Sequence, residues 1–103
     1  MEKSISSQEY AIFLRELRAA RRASGATQID VAETLGETQS MISKCERGER
    51  RLDVVELRAY CRAIGVPLSA FVDTLEKALA VASATASSER GGKTRNRKRP
   101  AQR

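Results

Sequence analysis

From Tyr10 to Ala82 the leucines, isoleucines, valines and aromatic residues recur three and four positions apart, and they do not alternate with polar ones as a strand would require. That spacing lines apolar side chains along one stripe of a 3.6-residue helix, so it predicts an all-α chain. Tyr10, Phe13, Leu14 and Leu17, with Arg15, Glu16, Arg18, Arg21 and Arg22 mostly on the other face, predict a first helix stopped at Gly25. Thr27 and Asp30 have the spacing of a capping box, which starts a second helix running to about Leu35. At Gly36 the backbone can turn left-handed without a Cβ penalty, and Thr38 can cap a third helix that ends near Gly48. Asp53 and Glu56 repeat the box ahead of Val54, Leu57, Tyr60, Cys61 and Ile64, a fourth stripe closed by Gly65. After Pro67, the stripe of Leu68, Phe71, Val72, Leu75, Leu79 and Ala82 predicts a fifth helix to about Ala82.

The chain then changes character. Residues 1–82 hold 12 Lys/Arg against 12 Asp/Glu, whereas residues 83–103 hold 7 against 1, so the formal net charge of +6 lies in the C-terminal segment. That segment has no leucine, isoleucine, valine or aromatic residue. It cannot repay the entropy of ordering, which predicts a domain over 1–82 followed by a disordered basic tail over 83–103. Arg90, Lys93, Arg95, Arg97, Lys98, Arg99 and Arg103 suit a nonspecific grip on nucleic-acid phosphates, and equally a solubilising extension or a partner-binding segment. Gly91-Gly92-Lys93-Thr94 imitates the end of a phosphate-binding loop, but Ser87 stands where its first glycine is required and no strand precedes it.

The absence of histidine removes Ser/His and Cys/His chemistry, and two cysteines sixteen positions apart are too few for a four-ligand zinc site. Cys45 and Cys61 lie on apolar faces and read as core residues of a reducing compartment. No enzyme activity, metal or cofactor is expected. No apolar run approaches eighteen residues and the N-terminus lacks the order of a secretory signal, so the expected location is the cytoplasm, beside the nucleoid.

Two capped helices joined through a tight glycine turn, the second opening with polar residues, describe a helix-turn-helix. Val31, Ala32, Leu35, Ile42 and Cys45 satisfy its inward positions, which leaves Gln28, Gln39, Ser40, Ser43, Lys44 and Arg47 outward. Gln39 offers the donor and acceptor that pair with adenine in the major groove, Lys44 reaches a guanine edge or a phosphate, and Ser40 and Ser43 suit shorter contacts. Arg50 and Arg51 follow Gly48 beside this helix and read as phosphate contacts, in a field that Glu49 weakens. With the capping threonines, the candidate DNA-facing set is Thr27, Gln28, Thr38, Gln39, Ser40, Ser43, Lys44, Arg47, Arg50 and Arg51.

From Leu17 to about Phe71 the chain resembles the phage-repressor and Cro-like helix-turn-helix family, also called the XRE family. The resemblance rests on Arg21, Gly25, Thr27-Gln28, Ala32, Leu35-Gly36, Ile42-Ser43-Lys44, Glu46-Arg47-Gly48 and Ala63-Ile64-Gly65-Val66 taken together. The chain departs from the family pattern at Ala26, Cys45 and Leu52. The resemblance implies a five-helix, lambda-repressor-like DNA-binding domain that regulates transcription, and the expected role is that of a repressor on a palindromic operator. It also implies that Gln28 contacts phosphate and supports Gln39, and that Arg21 and Glu46 form an inner ion pair tying the first helix to the third. The stripe of helix five continues past this region through Leu75 and Leu79, which predicts a homodimer interface there or a face folded back over helix one. Two other readings stay open: an antitoxin that also binds a toxin, and a helical protein-interaction module that does not read DNA.

Overall fold

A computed structural model describes residues 5–89, which form five α-helices and, among those residues, no strand. The helices are α1 (Ile5–Ser24), α2 (Gln28–Leu35), α3 (Gln39–Glu46), α4 (Val54–Ala63) and α5 (Leu68–Glu89). The all-α architecture expected from the periodicity is therefore the one observed.

Local chemistry sets the starts of the three middle helices. The Thr27 hydroxyl accepts the Asp30 amide at 3.0 Å while the Asp30 carboxylate accepts the Thr27 amide at 2.8 Å. Asp53 and Glu56 make the same reciprocal pair at 2.7 and 2.9 Å, and the Thr38 hydroxyl accepts the Met41 amide at 3.1 Å. Each cap satisfies donors that a helix start otherwise leaves open, an effect of about 1 kcal/mol. At Gly36 and Gly48 the geometry demands a glycine. Gly36 takes φ 70°, which lets its own amide and that of Glu37 close onto the carbonyls of Glu33 and Ala32 and makes the sharp corner between α2 and α3. Gly48 takes φ 83° where α1 comes close, so that a Cβ there would stand 3.1 Å from Leu14 Cδ1.

The core joins all five helices through Leu17, Val31, Ala32, Ile42, Leu57, Tyr60, Cys61, Ile64 and Phe71. α2 packs on α3 and α4, α1 packs on α3 and α5, and α4 also meets α5. The α2–α3 corner thus rests on a bed formed by α1 and α4. Phe13 meets Phe71 edge to face at 6.0 Å, which fastens α1 to α5. Both cysteines are free and buried, and Cys45 Sγ lies 3.5 Å from Met41 Sδ.

Helix five differs from its expected form in two ways. It runs to Glu89, about two turns beyond Ala82, so residues 83–89 are helical where a disordered segment was expected. The sequence Ser-Ala-Thr-Ala-Ser-Ser-Glu meets no glycine or proline, and extending a formed helix adds one hydrogen bond per residue without a new nucleus. Leu75 packs against the core of its own chain, as in the folded-back arrangement, while Leu79 is half-buried and Val81 is 67% exposed. The cationic residues from Arg90 onward lie outside the described residues. No described helix is long and apolar enough to cross a membrane.

Candidate nucleic-acid interface

α3 has two faces. Ile42 and Cys45 are fully buried against the bed of the domain, and Gln39, Ser40 and Lys44 are exposed on the other side with Ser43 partly so. The same period carries Arg47, just past the end of the helix, onto the outer side. Thr27 and Thr38 are exposed beside these residues, and their hydroxyls are the caps already described.

Beneath this surface lies one buried charge. Glu46, the last residue of α3, is 2% exposed, and a carboxylate withdrawn from water to that degree needs partners on both oxygens. Arg21 supplies a fork, Nε to Oε2 at 2.7 Å and Nη2 to Oε1 at 3.0 Å. The Tyr60 hydroxyl also donates to Oε2, and Gln28 Nε2 donates to Oε1 at 3.0 Å. The expected inner pair of α1 and α3 is therefore present, within a larger cluster. Arg18 adds a bond from Nη1 to the Glu46 carbonyl at 2.7 Å, which satisfies an open carbonyl at the C-terminal end of α3.

This cluster reaches the outer face. Gln39 Nε2 donates to Gln28 Oε1 at 3.1 Å, so the first residues of α2 and α3 are joined and then tied inward to Glu46. Sequence reasoning placed Tyr60 in an apolar stripe and Arg18 on an outer face, and it assigned neither a role here. A tyrosine within an apolar stripe was the available signal for the first, because a buried phenol seeks a hydrogen-bond acceptor.

Arg47, Arg50 and Arg51, which follow α3, each have a partner within the chain. Arg47 meets the Glu49 carboxylate at 2.9 and 3.2 Å and also donates to the Ser43 hydroxyl. Arg50 forms a two-point pair with Glu56 at 2.8 and 3.2 Å, which links the loop after α3 to the capping box of α4. The Arg51 guanidinium lies 4.2 Å from the centre of the Tyr10 ring, whose hydroxyl accepts the Leu52 amide at 3.2 Å. Arg50 and Arg51, expected together as phosphate contacts, are thus held by two different anchors.

Burial works to raise the pKa of Glu46, but hydrogen bonds from Arg21, Tyr60 and Gln28 outweigh it and hold the carboxyl below its ordinary value of 4.5. The unfolded chain therefore protonates Glu46 before the folded chain does, and stability falls as the pH drops below about 4.5. The carboxylates of Asp30 and Glu49, which are exposed, and of Glu56, which is partly buried, are lowered by their hydrogen bonds and act in the same direction. Burial raises Cys45 and Cys61 above 9.0 and, together with the hydrogen bond to Glu46, raises Tyr60 above 10.0. Above about pH 9 the unfolded chain sheds these protons first, so stability falls there as well. Thermal melts across the pH range should give a plateau between about pH 5 and 9 with a decline on each side, and a melting temperature constant from about pH 3 to 11 would refute this.

The helix-turn-helix family HTH_3 matches residues 17–71, the stretch that contains α2, α3, α4 and the inner ion pair. Among solved structures, an XRE-family like protein from Pseudomonas syringae pv. tomato str. DC3000 is 44% identical, with a TM-score of 0.67, over 71% of this chain and 89% of that one. No curated protein matches the chain. A capped helix pair set at a glycine corner, an exposed polar face on its second helix and a family match across more than half the length agree: the chain belongs to the XRE family of helix-turn-helix DNA-binding transcription regulators.

Proposed function

We propose that the protein is a repressor that binds a two-fold symmetric operator as a homodimer, with α3 in the major groove of each half-site. The observation that carries this reading is the outer face of α3, where Gln39 is held in place by Gln28 while Ser40, Ser43 and Lys44 stand beside it. A pre-positioned amide loses little freedom on meeting a base, and Gln39 has the donor and acceptor that adenine requires. Gln28, Arg47, Arg50 and Arg51 would set the register on the phosphates, with Thr27 and Thr38 presenting the two helix N-termini. Glu49, Glu56 and Tyr10 order Arg47, Arg50 and Arg51 before they meet the backbone, while Glu49 and Glu56 offset part of the charge that Arg47 and Arg50 offer a phosphate. The protein would act in the cytoplasm, without a cofactor.

In this reading two copies meet through the distal half of α5, at Leu79, the open side of Leu75 and the exposed Val81. Sequencing DNA fragments selected by the purified protein should return an inverted repeat with half-site centres about 34 Å apart. Leu79→Glu should convert the dimer to a folded monomer in sedimentation and weaken binding to that repeat. Selection of an unrepeated site, or a wild-type protein monomeric at about 100 μM, would refute the dimer. Failure to enrich any sequence would favour a module that binds protein alone, and specific capture of a toxin by α5 would favour the antitoxin.

A further inference from the structure

The hydrogen bonds of Tyr60, Gln28 and Gln39 all run toward Glu46, from Tyr60 on one side and from Gln39 through Gln28 on the other. An ionised carboxylate can only accept, so Gln28 must turn its NH2 group toward Glu46 Oε1. Its carbonyl oxygen then faces away from the core, and Gln39 must present its own NH2 group to that oxygen. One N–H of Gln39 is thereby used, and the remaining N–H and the carbonyl oxygen face outward in a fixed order. The buried anion thus determines which end of an exposed amide is donor and which is acceptor, through two glutamines in series.

The order of donor and acceptor follows from the charge alone, but the place of the Gln39 amide depends on where Oε1 sits, and so on a carboxylate that does not rotate. The Tyr60 hydroxyl and Arg21 Nε converge on Oε2, while Arg21 Nη2 and Gln28 share Oε1. Tyr60 is fully buried on α4, a helix with no residue in the candidate DNA-facing set, and its hydroxyl reaches Glu46 across the core. We propose that Tyr60 is a positioning residue for base recognition: its hydroxyl, with the Arg21 fork, holds the Glu46 carboxylate in the rotation that, through Gln28, fixes the position of the Gln39 amide. The inference rests on the reading of α3 as the DNA-reading helix. It adds to that reading a specificity determinant on a helix that does not meet the DNA.

The test begins with the site selected by the wild-type protein. The base pair at which Gln39→Ala loses discrimination is identified first, by measuring affinity for the selected site and for each single base-pair change. Tyr60→Phe keeps the ring and removes only the hydroxyl. It should reduce discrimination at that same base pair by about 3- to 10-fold, the worth of one hydrogen bond, and leave discrimination at other positions and the affinity for random DNA unchanged. In the Gln39→Ala background it should add nothing, a non-additivity that a general loss of stability would not produce. Gln28→Ala, which removes the middle link and leaves Tyr60 and Glu46 in place, also loses a phosphate contact and should weaken binding to all sequences; beyond that uniform loss it should reproduce the reduced discrimination at the same base pair, which supplies the test if Tyr60→Phe does not fold. Unchanged discrimination, uniform weakening at all positions, or additivity with Gln39→Ala would overturn the inference while leaving the DNA-reading helix intact. A wild-type protein that selects no sequence would instead overturn the reading on which it rests.

Discussion

Replacing Arg21 by alanine will destabilise the fold by about 3 to 5 kcal/mol, the usual cost of removing one partner from a buried ion pair. The Arg21 side chain is 11% exposed and Glu46 is 2% exposed, so water cannot take over the lost bonds without opening the packing of α1 on α3. The substitution removes both donors of the guanidinium fork and the bond from Arg21 Nη1 to the Ala26 carbonyl at 3.1 Å. Tyr60 and Gln28 remain to solvate the carboxylate, but neither carries a positive charge. Arg22, one position on, is exposed, and Arg22→Ala should change stability by no more than about 0.5 kcal/mol. Thermal melts of the two variants decide the matter: a domain of this size should lose roughly 12 °C or more with Arg21→Ala and little with Arg22→Ala. Equal melting temperatures would refute the assignment. Adding Glu46→Ala to Arg21→Ala should cost less than the two single changes summed, because the stranded charge then disappears with its partner.

The second large effect concerns affinity. Gln39→Ala and Lys44→Ala should each weaken specific DNA binding by about 1 to 3 kcal/mol, since each removes a contact to a base edge, or for Lys44 to a phosphate. Both residues are exposed on α3, so neither change disturbs the buried face, and helical content by circular dichroism should stay constant. The two variants should differ in character. Loss of Gln39 relaxes the choice at one base pair and barely alters the salt dependence. If Lys44 lies on a phosphate, its loss weakens binding to every sequence and lowers the salt slope by about 1. Unaltered affinity in both variants would show that α3 does not read DNA. The Gln39 result also anchors the Tyr60 experiment, because it identifies the base pair at which the effect of a distant hydroxyl is to be measured.

The helices and their starts were legible from the residues because the interactions that make them are local. Thr27 meets Asp30 and Asp53 meets Glu56 three positions on, so each capping box can be found by spacing alone. The outer face of α3 was legible for a related reason, since a period of 3.6 separates Ile42 and Cys45 from Gln39, Ser40 and Lys44 whatever the helix packs against. The end of α5 was misplaced because the apolar stripe stops at Ala82, whereas propagation of a helix needs no stripe.

No local rule could supply the interior of the site. Tyr60 reaches Glu46 across 14 positions, Gln28 across 18 and Arg21 across 25, and the last pair was expected only through resemblance to a family. Arg50 and Arg51 were adjacent cations of one kind in the sequence, yet one is held by a carboxylate on α4 and the other by an aromatic ring on α1. Periodicity assigns a residue to a face, but the partner of a polar atom on that face is chosen only when two helices distant in the chain come together. A buried hydroxyl or carboxylate must then find a complementary group among whatever the packing brings within reach.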